Sequence, residues 1–292
     1  MSTDKPLWEP SQARIAGANI TAFARMAIGQ WGLKFNTYPE FYQWTIDQPD
    51  QFWQSLWQYA GVKAGTRGTR ALVHGERMPG AQWFPDARIN FAENLLRRRD
   101  TADAIVFWGE DKVQRRLSHD QLYAGVARLA QALRAAGVRE GDRVVGYLPN
   151  LLETVMAMLA AASMGAVWSS CSPDFGVQGV LDRFGQIEPK VLFAADGYWY
   201  NGKATDAIVK VAQIVDQLPS LERVVLVPYL ADAVAVSGIQ KAQRWSDFIA
   251  PCAARDIEFT QLPFNHPLYV MYSSGTTGVP KCVVHGAGGT LL

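Results

Sequence analysis

Apolar residues recur along this chain in two rhythms. Over the first 60 positions Trp31, Phe41, Trp44, Phe52, Trp53, Trp57 and Tyr59 fall largely one, three or four apart, the spacing of one face of a helix. Two helices follow from that stripe. One begins after Thr37 with Pro39 in its first turn, and the other runs from near Pro49 to Gly61, with proline inside the start and glycine past the end. The aromatic face reads as core, because such rings carry the largest buried areas. A loop rich in glycine and proline (Gly65, Gly68, Gly75, Pro79, Gly80, Pro85) leads to a short helix over about Asn90–Arg99. A helical, aromatic-rich N-terminal region is therefore expected over residues 1–100.

From residue 101 the rhythm changes to short apolar runs alternating with helical faces. Ala104–Trp108 and Val113–Leu117 flank Gly109-Glu110-Asp111 as a hairpin. Ser118 and Gln121 form a capping box for a helix to Gly137 with Leu122, Val126, Leu129, Ala130 and Leu133 on one face, and Asn150 with Glu153 repeats that signal. Strands are expected at Arg143–Leu148, Ala166–Ser170, Val191–Ala194, Val224–Val227 and Leu268–Tyr272. Helices are expected between them, including Gly176–Ile187 and a longer one over about Lys203–Gln217. This alternation predicts an α/β fold, a mostly parallel sheet flanked by helices on both faces, over residues 101–292. Ligands of such sheets bind at the carboxyl ends of the strands.

Composition narrows the function classes. Among 292 residues, 28 Lys and Arg face 27 Asp and Glu, and residues 1–150 and 151–292 carry net charges of only +4 and −3, which offers no nucleic-acid surface. The longest apolar run, Glu153–Ser169, is too short and too rich in Ala, Met and Gly to span a bilayer. Acidic and proline residues near the N-terminus, where a signal peptide would need a basic start and an apolar stretch, lead to the expectation that the protein is not exported. Cys171, Cys252 and Cys282 are scattered, without metal-ligand spacing, which fits reduced thiols in the cytoplasm and no metal site.

The chemistry is concentrated in Tyr272-Ser273-Ser274-Gly275-Thr276-Thr277-Gly278-Val279-Pro280-Lys281, directly after a buried strand. Glycines allow consecutive N–H groups to converge, hydroxyls add donors, and together they make an anion-binding nest. Lys281 adds a mobile positive charge suited to phosphate oxygens. This is not a Walker loop, because Gly275 and Gly278 are too close and Cys282 follows the lysine. No GxGxxG and no GxSxG occurs, which removes dinucleotide and serine-hydrolase readings. His285, four residues past Lys281, could face the same site.

The run Ser273–Lys281 resembles the signature phosphate loop of the adenylate-forming superfamily of acyl-CoA synthetases, peptide synthetases and luciferases. Leu117–Leu122, Gly141–Val144 and Met164–Trp168 stand where that family has them. Trp168–Gly176, Asp182–Lys190 and Asp196–Lys203 resemble its acetoacetate-CoA ligase branch. The resemblance implies activation of acetoacetate with MgATP to an acyl-adenylate, then transfer to coenzyme A. It implies that Ser273, Ser274, Gly275, Thr276, Thr277, Gly278 and Lys281 bind the β and γ phosphates, with Lys281 catalytic. The partners so implied are small molecules: acetoacetate, ATP with Mg2+, and coenzyme A. The family's adenine, ribose and C-terminal lysine motifs lie beyond the glycine loop, so residues 101–292 are expected to be a partial adenylation domain of a longer enzyme. A ligase for acetate or propionate and a truncated, non-catalytic product remain as alternatives.

Overall fold

The computed structural model describes residues 6–274 and 278–292. Its internal contacts separate one unit up to Ala87 from a second, Arg88–Leu291. The first holds helices α1 (Gln12–Ala16), α2 (Asn19–Trp31), α3 (Tyr38–Asp47) and α4 (Pro49–Tyr59), then a small antiparallel pair, β1 (Leu72–Val73) and β2 (Gln82–Trp83). Thr37 and Glu40 close a reciprocal capping box on α3, which satisfies two backbone donors at the helix start. Most of the aromatic stripe packs inward, as its spacing predicts, with Phe23, Ala27 and Trp44 buried against Phe41, Phe52 and Leu56, whereas Tyr59 is exposed. Phe23 meets Phe41 and Phe52 edge to face, at 6.0 and 5.8 Å. The hydrophobic pattern does not mark α2. Its N-cap is Ala18 with no side-chain hydrogen bond, and a small Ala27 shares its buried face, so neither punctuation nor bulk marks it.

The second unit opens with β3 (Arg88–Ile89), α5 (Phe91–Leu95) and the antiparallel hairpin of β4 (Asp103–Gly109) and β5 (Val113–Ser118). Then come α6 (His119–Ala135), β6 (Arg143–Tyr147), α7 (Leu152–Ser163), β7 (Val167–Cys171), α8 (Val177–Phe184), β8 (Val191–Ala195), β9 (Gly197–Tyr200), β10 (Lys203–Asp206), α9 (Ile208–Asp216), β11 (Arg223–Val227), β12 (Ala242–Arg244) and α10 (Trp245–Ile249). The last described elements are β13 (Leu262–Pro263), β14 (Pro267–Ser273), β15 (Lys281–Gly286) and α11 (Ala287–Leu291). The central sheet has the order β12-β11-β8-β6-β7-β14-β15. Every pairing from β12 to β14 is parallel, and only β15 runs antiparallel, on β14. Every residue of β8 is buried, as expected where helices cover both faces of a parallel sheet. Val145, Tyr147, Phe184, Leu192, Ile214 and Leu226 form one part of the core.

Three local expectations need correction. The predicted helix over Lys203–Gln217 is shorter, Ile208–Asp216, because Lys203–Asp206 pairs with Gly197–Tyr200 as a hairpin. Asn201 and Gly202 both have positive φ, 51° and 75°, the primed turn that an Asn-Gly dipeptide favours. Glu153 does not close a capping box: the N-cap of α7 is Leu151, without a side-chain bond. The buried Glu153 carboxylate instead accepts two hydrogen bonds from Arg115 of β5, at 2.5 and 3.1 Å. Arg97–Arg99 lie past the end of α5 and not inside it. Arg99 stacks 3.6 Å above the Tyr123 ring and pairs with Asp256, while Arg98 pairs with Asp100.

Candidate functional site

β14 builds the approach to the Ser/Thr/Gly loop. Leu268 and Val270 are buried and anchor it. From β7, the Ser169 hydroxyl donates to the Val270 carbonyl (2.7 Å) and lies 3.0 Å from the Tyr272 hydroxyl. Burial pushes the Tyr272 phenol well above its ordinary range, so it stays a neutral hydrogen-bonding group. Because β14 runs parallel to β7, the loop leaves at the carboxyl end of the sheet, the end where open α/β sheets bind ligands.

The chain then returns at once as β15, with Ser273 opposite Lys281. The loop is thus the tip of an antiparallel hairpin at the sheet's edge, a topology that the run of residues did not announce. Ser273, Ser274 and Lys281 are exposed, and Lys281 forms no ion pair among the described residues. Gly278 has φ of +129°, and a Cβ there would meet nothing within 4 Å. Its need for glycine is therefore conformational and not steric. Gly275, Thr276 and Thr277 fall outside the described residues. His285 lies on the same face of β15 as Lys281 but about 13 Å further along an extended strand, and its ring packs at 5.3 Å on Tyr269, opposite it.

Below the hairpin lies the last turn of α8. The Arg183 guanidinium stacks over Phe175 (4.3 Å), sits 5.8 Å from the Tyr272 ring centre, and donates to the Gly179 carbonyl. Pattern reading gave Arg183 no role, and only the resemblance of Asp182–Lys190 drew notice to the segment. Among the described residues no group of three His, Cys, Asp or Glu could hold a metal ion. No helix of the described residues is long and apolar enough to cross a membrane. A cavity of about 400 Å³ lined by Arg134, Arg139, Glu140, Met164 and Thr260 lies by the start of β6, at the opposite end of the sheet.

A parallel sheet with an exposed lysine and hydroxyls at its carboxyl edge suits an anionic ligand. The profile of the AMP-binding enzyme family matches residues 91–291. The chain belongs to that family. The profile of the acetyl-coenzyme A synthetase N-terminus matches residues 38–95. The chain is 49% identical over its whole length to an acetoacetyl-coenzyme A synthetase of Rhizobium meliloti, of which it covers 45%. An acetoacetyl-CoA synthetase of Gallus gallus is 41% identical over 98% of the chain and 44% of its own length. The solved acetoacetyl-CoA synthetase from Streptomyces lividans superposes with a TM-score of 0.91 at 42% identity, covering 98% of this chain and 44% of that one. The chain thus spans less than half the length of these relatives.

Proposed function

We propose that this chain carries the triphosphate-handling part of an AMP-forming acid–thiol ligase that acts on acetoacetate. The observation that carries the reading is the 49% identity to an acetoacetyl-coenzyme A synthetase over a match that covers the whole chain. In the first half-reaction a carboxylate oxygen attacks the α phosphorus of ATP and pyrophosphate leaves. In the second the thiol of coenzyme A attacks the acyl carbonyl, loses its proton, and AMP leaves. Bringing a carboxylate to a triphosphate opposes two anions, so positioning and charge neutralisation dominate. Ser273, Ser274, Gly275, Thr276, Thr277 and Gly278 hold the β and γ phosphates through backbone N–H and hydroxyl donors. Lys281 neutralises charge that builds on the leaving pyrophosphate. A magnesium ion arriving with ATP would supply further neutralisation of the phosphate charge beside Lys281. Residues 1–100 serve as the helical N-terminal region and 101–292 as part of the adenylation domain. Three free cysteines support a cytoplasmic setting.

The test is ATP–pyrophosphate exchange driven by acetoacetate in the full-length enzyme, with acetate and propionate as competitors for the assignment. Exchange with acetate or propionate but not acetoacetate reassigns the substrate. Lys281→Ala removes one charge-assisted contact, about 1.5 to 3 kcal/mol, and lowers exchange roughly tenfold to hundredfold. Thiol transfer from supplied acyl-adenylate is spared. Equal losses in both half-reactions would withdraw the role given to Lys281.

A further inference from the structure

One side chain outside the loop touches both neighbours of Lys281. The Gln186 amide nitrogen donates to the Pro280 carbonyl at 2.9 Å, and its oxygen accepts from the Cys282 thiol at 3.6 Å. The same nitrogen donates to the Asp182 carbonyl at 2.6 Å, which roots the amide on α8. Two carbonyls thus face the nitrogen and one thiol faces the oxygen, so both N–H donors are used and the amide has one sensible orientation. Gly185 makes the delivery possible: a Cβ there would come within 2.7 Å of the Leu181 carbonyl, which its own N–H already bonds at 3.0 Å. The tight turn after α8 then projects Gln186 toward the hairpin.

Residues 280 and 282 flank Lys281, and side chains alternate along an extended strand. The Cys282 side chain faces Gln186, which directs the lysine to the other side, and the bond to the Pro280 carbonyl holds the backbone just before it. The other leg of the hairpin is braced from the same helix, where Arg183 approaches the Tyr272 ring. We propose that Gln186 is the positioning residue for Lys281, fixing the strand so that its ammonium meets the phosphates. This rests on the reading of Ser273–Lys281 as a phosphate site. Gln186 touches no phosphate itself, so its whole effect on anion affinity passes through Lys281.

The experiment is calorimetric titration of the chain with pyrophosphate, comparing the unmodified protein with Lys281→Ala, Gln186→Met and the double variant. Methionine keeps the length and bulk of glutamine and removes its hydrogen bonds. Thermal melting checks the fold, and Gln186→Ala provides the same comparison if the methionine variant does not fold. Lys281→Ala is expected to weaken binding at least tenfold and Gln186→Met threefold to tenfold, with the double variant no weaker than Lys281→Ala alone. A merely structural role for Gln186 would make the two losses multiply, and that result overturns the proposal. So does a Gln186→Met protein that binds as tightly as the original while Lys281→Ala does not. If the unmodified protein binds no pyrophosphate, or Lys281→Ala binds it unchanged, the phosphate reading itself falls and takes this one with it.

Discussion

The Tyr147 hydroxyl faces two carbonyls, those of Pro173 (2.8 Å) and Phe175 (2.7 Å), and has a single proton to offer them. Ionising it would set an oxyanion against both, and burial already raises the phenol to about 12. Buried Cys171, at the end of β7, is likewise raised by burial, from an ordinary 9.0 to about 12. Both groups are held neutral in the fold and ionise earlier once unfolded. Their contribution is therefore complete below about pH 9 and is lost as pH rises toward 12. Melting temperature should be flat up to pH 8.5 and fall above pH 9, and Cys171→Ala should flatten part of that fall. An unchanged slope in the variant would remove Cys171 from the account. At this scale the exposure of Ser273 and Ser274 was legible, because hydroxyls and glycines crowded into one run make poor core. Gln186 was not, since its partners in the hairpin stand 94 and 96 positions away, and no local pattern encodes such contacts. Glu153 was misread for a related reason: three residues from Asn150 it imitates a cap, whereas Arg115, 38 positions earlier, is its true partner.

That pair ties two elements together. Arg115 projects from the β4–β5 hairpin to α7, and its side chain is 38% exposed against 9% for Glu153. Removing the arginine strands a buried carboxylate, a large penalty in a fully buried pair and a smaller one here, where water reaches the guanidinium. Arg115→Met should cost about 1 to 3 kcal/mol in urea unfolding. Adding Glu153→Leu should recover most of it, and a double variant less stable than the single one would contradict this account. Helix starts were legible wherever capping boxes stood, at Thr37 and Ser118. The β9–β10 hairpin was missed although Asn201-Gly202 announces it, because the apolar stretch behind it dominated the reading. A second tie was beyond local reading: the Asn90 side chain caps α5 through Glu93 while the two N–H groups of its amide are shared among the carbonyls of Ala162, Ser163 and Thr260.

For the second unit as a whole, strand-helix alternation predicted the parallel sheet, and the antiparallel return of β15 was hidden behind the loop. That return leaves β15 as an edge strand, with Val279, Val283, Val284 and Met271 of the hairpin exposed. Unpaired edges with apolar side chains invite pairing between copies. The chain should therefore self-associate with rising concentration in light scattering, and Val284→Lys should shift it toward monomer. A lysine variant that associates equally would locate the contact elsewhere. The pairing of Ser273 with Lys281 has one more consequence, for tolerance to changes of length. The sheet itself joins the two ends of residues 274–280, whatever path lies between them. Lengthening such a closed segment is cheap, since each doubling costs only about 0.6 kcal/mol. Two glycines inserted after Ser274 should leave the melting temperature almost unmoved yet abolish pyrophosphate binding. On the proposed phosphate reading the anion sets the span of the loop, while the stability of the sheet leaves that span free to vary.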